Sequence, residues 1–339
     1  MPKTNRAARI HPLSGTGFGA RAEFPAGAAT EPAIAAIEAA PDRFLTAFYA
    51  AHGLLVMSGM HAVTAQPELL VRLSRVFGPE VEDYTETTTA RNNIHPDVPE
   101  ILVVSNVPPA TPRVPARPEP ELTADGRLPV QFPHRRGWHT DQSYRRPPPD
   151  ISLFYAETPV PKGQGQTLYA DGIGAYAALP DAMKARIAGL DAIHVSPGRG
   201  RSEQAALAGG PAPALDPRDT PQRQPIVRIH PVTGEPALYL CEAGQLDWFE
   251  GPVHGMEKGP HGDGAKLVYE LMSHYTDPRF VHVQDWSAGD LIVYDNRCTI
   301  HSATWFDADA HSRRMWRTTV RGNPGAMYAG EARSWLAAS

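Results

Sequence analysis

In the first third of the chain, apolar positions recur at helical spacing. In Asp42–Ala51, the residues Phe44, Leu45 and Phe48 fall on one face, and Gly53 follows as a stop; the pattern predicts a helix. In Pro67–Phe77, the residues Leu69, Leu70, Leu73 and Val76 form a stripe, with proline in the first turn and Gly78 at the end. A third helix is predicted over Ala265–Tyr275, after a glycine-rich turn, with Asp263 as its N-cap. Elsewhere the pattern changes to short apolar runs broken by Gly, Pro and Asp, which read as strands. They are Leu54–Met57, Ile101–Ser105, Ile151–Ala156, Thr167–Ala170, Ala192–Val195, Ile226–Ile229, Ala237–Cys241, Val281–Asp285, Leu291–Tyr294 and Met315–Val320. Many short strands without strand–helix alternation predict a mainly β fold, a sandwich or jelly roll with flanking helices.

Composition narrows the class. Apolar residues make up 42% and charged residues 20%, as in ordinary globular proteins. The net charge of −5 argues against nucleic acid or an anionic membrane as the main partner. Apolar runs are too short to span a bilayer. Two cysteines, Cys241 and Cys298, cannot form a disulfide framework, and the N-terminus shows no secretory h-region; the expected location is the cytoplasm. The 35 prolines cluster. They predict long loops at 107–133 and 196–225, either lids over a site or surface insertions, within a single domain spanning 1–339.

His-x-Asp places an imidazole and a carboxylate on one side of a strand, where both reach a common point. A second histidine from another strand completes a facial triad with positions left open. The motif occurs at His95–Asp97, at His261–Asp263 and at His139–Thr140–Asp141. The first reads as a turn, and the second lies in a glycine-rich segment. The third follows Trp138, where a loop enters a β-rich region. Further on, a buried strand ends in Asp295–Asn296–Arg297, and His301 follows. On a strand through Arg313–Gly322, the residues Arg313, Arg317 and Arg321 share one face with Met315 and Thr319, while Trp316 and Val320 take the other. That arginine face is either solvated or lines a pocket for carboxylates.

Taken together these segments resemble the TauD/TfdA family of iron(II)- and 2-oxoglutarate-dependent dioxygenases. The matching text is Trp138–Asp141, Gly165–Asp171 with Ala175–Pro180, His230–Gly234, Gly289–His301 and Arg313–Gly322, in the family's order. The resemblance implies a double-stranded β-helix, a cupin-like jelly roll. It implies His139, Asp141 and His301 as Fe(II) ligands and catalytic centre, with Thr167 and Arg313 binding the distal carboxylate of 2-oxoglutarate. One extra residue separates His301 from Arg313 relative to the common spacing, which makes Arg314 a rival. Arg317 and the Arg135–Arg136 segment are the candidate substrate contacts. The implied reaction consumes O2 and 2-oxoglutarate, releases succinate and CO2, and hydroxylates a small, anionic substrate of the sulfonate, carboxylate or aryloxyalkanoate class. A homo-oligomer is an expectation of the same kind. The rival readings are a cupin-like metal hydrolase or isomerase and a non-catalytic binding protein on the same scaffold.

Overall fold

The computed structural model describes residues 8–13, 17–25, 29–87, 89–107, 137–242 and 245–335. The chain opens with strands β1 (Arg9–Pro12) and β2 (Ala20–Glu23), helices α1 (Thr30–Glu38) and α2 (Pro41–Ala50), strand β3 (Leu54–Met57) and helix α3 (Glu68–Ser74). Next come β4 (Glu80–Val81), β5 (Leu102–Ser105), β6 (Ile151–Thr158) and β7 (Thr167–Asp171), then helices α4 (Gly172–Ala177) and α5 (Asp181–Ile187). Strand β8 (Asp191–His194), helix α6 (Glu203–Leu207), strands β9 (Gln222–Pro225), β10 (Val227–Ile229) and β11 (Pro236–Leu238) and helix α7 (Asp263–Tyr275) follow. The last strands are β12 (Val281–Gln284), β13 (Leu291–Asp295), β14 (Thr299–Ala303) and β15 (Arg314–Arg321).

These strands make the mainly β jelly roll expected from the pattern. The larger sheet runs β1-β2-β3-β13-β6-β15-β4, with β5 also on β15, and a smaller sheet runs β12-β7-β14. Alternation divides each strand of the larger sheet between two environments. Leu55, Met57, Leu153, Tyr155, Leu291, Val293, Trp316 and Val320 pack outward against Ile34, Phe44, Phe48 and Leu70 of α1, α2 and α3. Leu54, Val56, Ile292, Tyr294 and Met315 face the interior between the sheets, where they meet Tyr169 of β7. The smaller sheet turns Leu168, Ala170 and Ile300 outward onto Leu267, Val268 and Leu271 of α7. Two apolar layers thus sit outside the sheets, and the space between them is left to β6, β7, β13, β14 and β15.

All ten predicted strands and three predicted helices appear, with boundaries shifted by up to three residues and the second helix shortened most. The 196–225 segment is not the continuous loop expected: it holds α6, and β9 at its end pairs with β8. The proline-rich 107–133 loop lies, beyond Val107, outside the described residues. Asp263 is the first residue of α7, and Gly262 is the N-cap; Asp263 pairs with Lys266 instead. Strand β14 had no apolar run to announce it.

A buried ion pair fixes the turn from β13 to β14. Asp295 accepts from Arg297 Nε at 2.8 Å and Nη2 at 2.6 Å, and His230 Nε2 lies 3.0 Å away. His230 Nδ1 accepts the backbone N–H groups of Val232 and Thr233, so its proton sits on Nε2 and is donated to Asp295. His230, Asp295 and Cys298 lie close enough to hold a metal, but these bonds already use the imidazole and carboxylate lone pairs. Burial opposes ionisation of Asp295, yet Arg297 and His230 outweigh it and hold the carboxyl below the usual range. A depressed folded value gives stability that is complete above the unfolded value, about 3.9, and is lost as pH falls below it. Resistance to urea is therefore expected to fall from about pH 5 to about pH 3. In Asp295→Asn, which is less stable throughout, that acid slope should flatten; an unchanged slope would exclude Asp295 as its source.

Candidate metal centre

His139 and His301 face each other across an antiparallel bridge. His139 N–H donates to the His301 carbonyl at 2.9 Å, and the reciprocal bond is 2.7 Å. The two rings therefore grow from adjacent backbone, with centroids 4.2 Å apart. Asp141 lies beside them, and ligand atoms from all three residues fall within 4.8 Å of one another. The His-x-Asp segment was expected to be a strand. It is instead one bridge residue followed by a turn in which Gln142 adopts φ 50°. Thr140 anchors that turn through Oγ1, which donates to the Asn296 carbonyl at 2.8 Å.

Each donor is oriented. His139 Nδ1 is 2.6 Å from the Gly137 carbonyl, which requires the proton there and leaves the Nε2 lone pair free. His301 directs Nε2 toward Asp141 Oδ1 at 3.9 Å. Asp141 Oδ2 accepts from Tyr294 Oη at 2.6 Å and Ser152 Oγ at 3.0 Å. Ser152 in turn accepts from Asn296 Nδ2 at 2.9 Å, and Asn296 Oδ1 accepts Asp141 N–H at 3.2 Å. Oδ1 faces the histidines and contacts Arg317 Nη1.

The charges suit a divalent cation. Burial lowers both histidines, His301 to about 3, so both are neutral ligands at pH 7. Burial alone would raise Asp141, but Arg317, His301 and His139 lower it well below the ordinary carboxylate range. Two neutral imidazoles and one ionised carboxylate converging on a point form a donor set that suits Fe(II).

Among the described residues, the other two look-alikes form no such cluster. His95 Nδ1 accepts Asp97 N–H, and its ring packs edge-on to Trp316. Asp263 is spent on Lys266.

The arginine-bearing face of β15 points inward. Arg313 is buried; Nη2 donates to the Gly165 carbonyl at 3.3 Å, and Nε has no partner among the described residues. Burial lowers its pKa to about 10. Arg314 points the other way, half-exposed, 3.9 Å from Glu157. Thr167 Oγ1 accepts from Trp286 Nε1 at 3.0 Å, and Trp286 meets Phe154, over which the Arg313 guanidinium lies. The hydroxyl proton of Thr167 remains available to an acceptor. A buried guanidinium without a carboxylate partner among the described residues suits an anionic ligand such as the distal carboxylate of 2-oxoglutarate. Arg317 keeps its Nε unpartnered among the described residues. Arg321 takes no part in the pocket: it bonds Glu82 and Gln142. Arg135 and Arg136 lie outside the described residues.

Residues 9–319 match the family described as taurine catabolism dioxygenase TauD, TfdA family. The chain belongs to the TauD/TfdA family. Among curated relatives it is 32% identical to the (S)-phenoxypropionate/alpha-ketoglutarate-dioxygenase of Sphingobium herbicidovorans, over 56% of this chain and 63% of that protein. It is 30% identical to the alpha-ketoglutarate-dependent 2,4-dichlorophenoxyacetate dioxygenase of a Burkholderia species, over 55% of this chain and 58% of that one. The chain thus spans less than two thirds of these relatives. The fold also matches that of AAD-2 solved with Mn(II) and N-oxalylglycine, with TM-score 0.63 and 24% identity over 93% of this chain and 98% of that one.

Ser152, Tyr294 and Asn296 carried no sequence signal, because their role depends on which strand lies opposite Asp141. Removing Ser152 Oγ leaves Asp141 Oδ2 held by Tyr294 alone. Ser152→Ala is expected to weaken Fe(II) binding about 10- to 100-fold in anaerobic titration, and to lower the melting temperature modestly because Asn296 Nδ2 loses its buried acceptor. Unchanged affinity would show that Tyr294 suffices to hold the carboxylate.

Proposed function

We propose that this TauD/TfdA family member is an Fe(II)- and 2-oxoglutarate-dependent dioxygenase that hydroxylates a small organic anion. One observation carries the proposal: the His139, Asp141 and His301 cluster shares an interior with Arg313, a buried cation with no acidic partner among the described residues. His139, Asp141 and His301 would hold Fe(II), and Arg313 with Thr167 would hold the distal carboxylate of 2-oxoglutarate. When bound, iron, 2-oxoglutarate and O2 together supply the oxidation, with succinate and CO2 released. The protein's residues do the rest. Gly137 fixes the His139 tautomer, Tyr294 and Ser152 fix the Asp141 rotamer, and the apolar lining of Met315, Ile292 and Val56 keeps water out.

Arg317 and Arg135 are the proposed substrate contacts. The free Nε of Arg317 and the aryloxyalkanoate names of the relatives support an anionic substrate. We place the activity in the cytoplasm, in one unit that uses the length of the chain. Among the described residues no helix is long and apolar enough to cross a membrane.

The test is an anaerobic titration of Fe(II)-loaded protein with 2-oxoglutarate, which should produce a weak visible charge-transfer band. A screen of aryloxyalkanoates, sulfonates and carboxylates for substrate-dependent succinate follows on admitting air. Absence of both band and succinate would overturn the dioxygenase reading and favour a hydrolase, isomerase or binding role. Arg317→Ala should abolish the response to the preferred anion; unaltered turnover would remove Arg317 from the substrate site.

A further inference from the structure

Tyr169 occupies the middle of β7, opposite His301 on β14 and two residues from Thr167 on the same strand face. Its ring stacks on His301 with centroids 5.9 Å apart and meets Tyr294 at 5.2 Å. It is 0% exposed and packs with Met315 and Ile292 in the interior. Its hydroxyl has no hydrogen-bond partner among the described residues. A phenol buried without a partner costs free energy, and tyrosine in such a place normally finds one.

The neighbour that would share a ligand with it is Arg313. Its guanidinium lies over Phe154, which packs against the same interior cluster as Tyr169, and it has no carboxylate partner among the described residues. Arg313 Nε is likewise buried and unpartnered. Two orphaned donors bordering one interior cluster, a cation and a phenol, describe half of a carboxylate site.

We propose that the Tyr169 hydroxyl is a further cosubstrate-binding group, donating to the same distal carboxylate that Arg313 and Thr167 receive. This rests on the 2-oxoglutarate reading above and deepens it. Tyr169 stands between Thr167 and His301, so its ring also lines the path that a five-carbon dicarboxylate takes from Arg313 to the metal ligands. Specificity follows: a 2-oxo acid without the distal carboxylate leaves the phenol and the guanidinium unpaired.

The experiment compares Tyr169→Phe with the unaltered protein in anaerobic, Fe(II)-loaded form. It follows the charge-transfer band during titration with 2-oxoglutarate and, separately, with 2-oxopentanoate, which has the same chelating end and no distal carboxylate. Tyr169→Phe should raise the Kd for 2-oxoglutarate about tenfold, since a hydrogen bond to a charged group is lost. It should leave the Kd for 2-oxopentanoate unchanged. The melting temperature of the ligand-free variant should equal or exceed that of the parent, because an unpaired buried hydroxyl has been removed. Equal weakening of both acids, or no weakening of either, would overturn the role of Tyr169 while the parent's band stands. No band from the parent with either acid would sink the 2-oxoglutarate reading itself and this proposal with it.

Discussion

His301→Ala is expected to lose its bound iron and with it at least about 10³-fold of succinate-forming activity, since metal activation is worth several kcal/mol of barrier. The fold should survive, because His301 is neutral and Nδ1 makes no bond among the described residues. Asp141→Ala is expected to behave differently. It removes a proposed ligand, but it also strips Arg317 of its counter-charge inside the jelly roll. An uncompensated buried charge costs about 3–5 kcal/mol, so the variant should also unfold at lower denaturant. Measuring iron content and denaturant midpoint on both variants separates the effects. Full iron occupancy in His301→Ala would refute the proposed ligand set, and equal stability of the two variants would refute the Arg317 argument.

Arg313→Met gives the opposite pairing of gain and loss. A guanidinium that binds carboxylate in a dry interior contributes charge-assisted bonds worth about 1.5–3 kcal/mol each. Losing two of them should raise the Kd for 2-oxoglutarate by about 10²- to 10⁴-fold. Yet the ligand-free protein should gain stability, because burial of Arg313 is not repaid by any acidic partner among the described residues. Calorimetry of both forms, with and without 2-oxoglutarate, reads both effects. If Arg313→Met binds 2-oxoglutarate normally and Arg314→Met does not, the carboxylate belongs to Arg314.

Much of this arrangement was legible beforehand, and what was missed has physical reasons. A continuous apolar run marked Leu291–Tyr294 as a buried strand, and alternation along Arg313–Gly322 marked the faces of the next, because one face meets helices and must be apolar. Strand β14 escaped notice because Thr299, His301 and Ser302 serve the interior or hydrogen bonds, leaving only Ile300 as an apolar signal. Spacing offered three His-x-Asp pairs, and only the family resemblance singled out His139 and Asp141; the strand expected to align them is a bridge and a turn, and backbone pairing with His301 and the Thr140–Asn296 bond do that work. Ser152, Tyr294 and Tyr169 were invisible because a serine or tyrosine in a strand has no local mark for what lies across the sheet. Helices α4, α5 and α6 are five to seven residues long, too short for a 3.6-residue period to declare itself.

The reciprocal backbone bonds between His139 and His301 also bear on how the centre comes into being. The two residues are supplied by distant parts of the chain, so no early fragment contains the site. A ribosome-bound chain that stops short of β14 has the His-x-Asp half alone and should take up metal poorly. Once the bridge closes, iron bound at the proposed centre would be held from both sides and would act as a clasp. By mass action it stabilises the closed form by RT ln(1 + [Fe]/Kd), about 2.7 kcal/mol at a hundredfold excess over Kd. Slowed exchange of the His139 and His301 amide protons on adding iron would register that clasp directly.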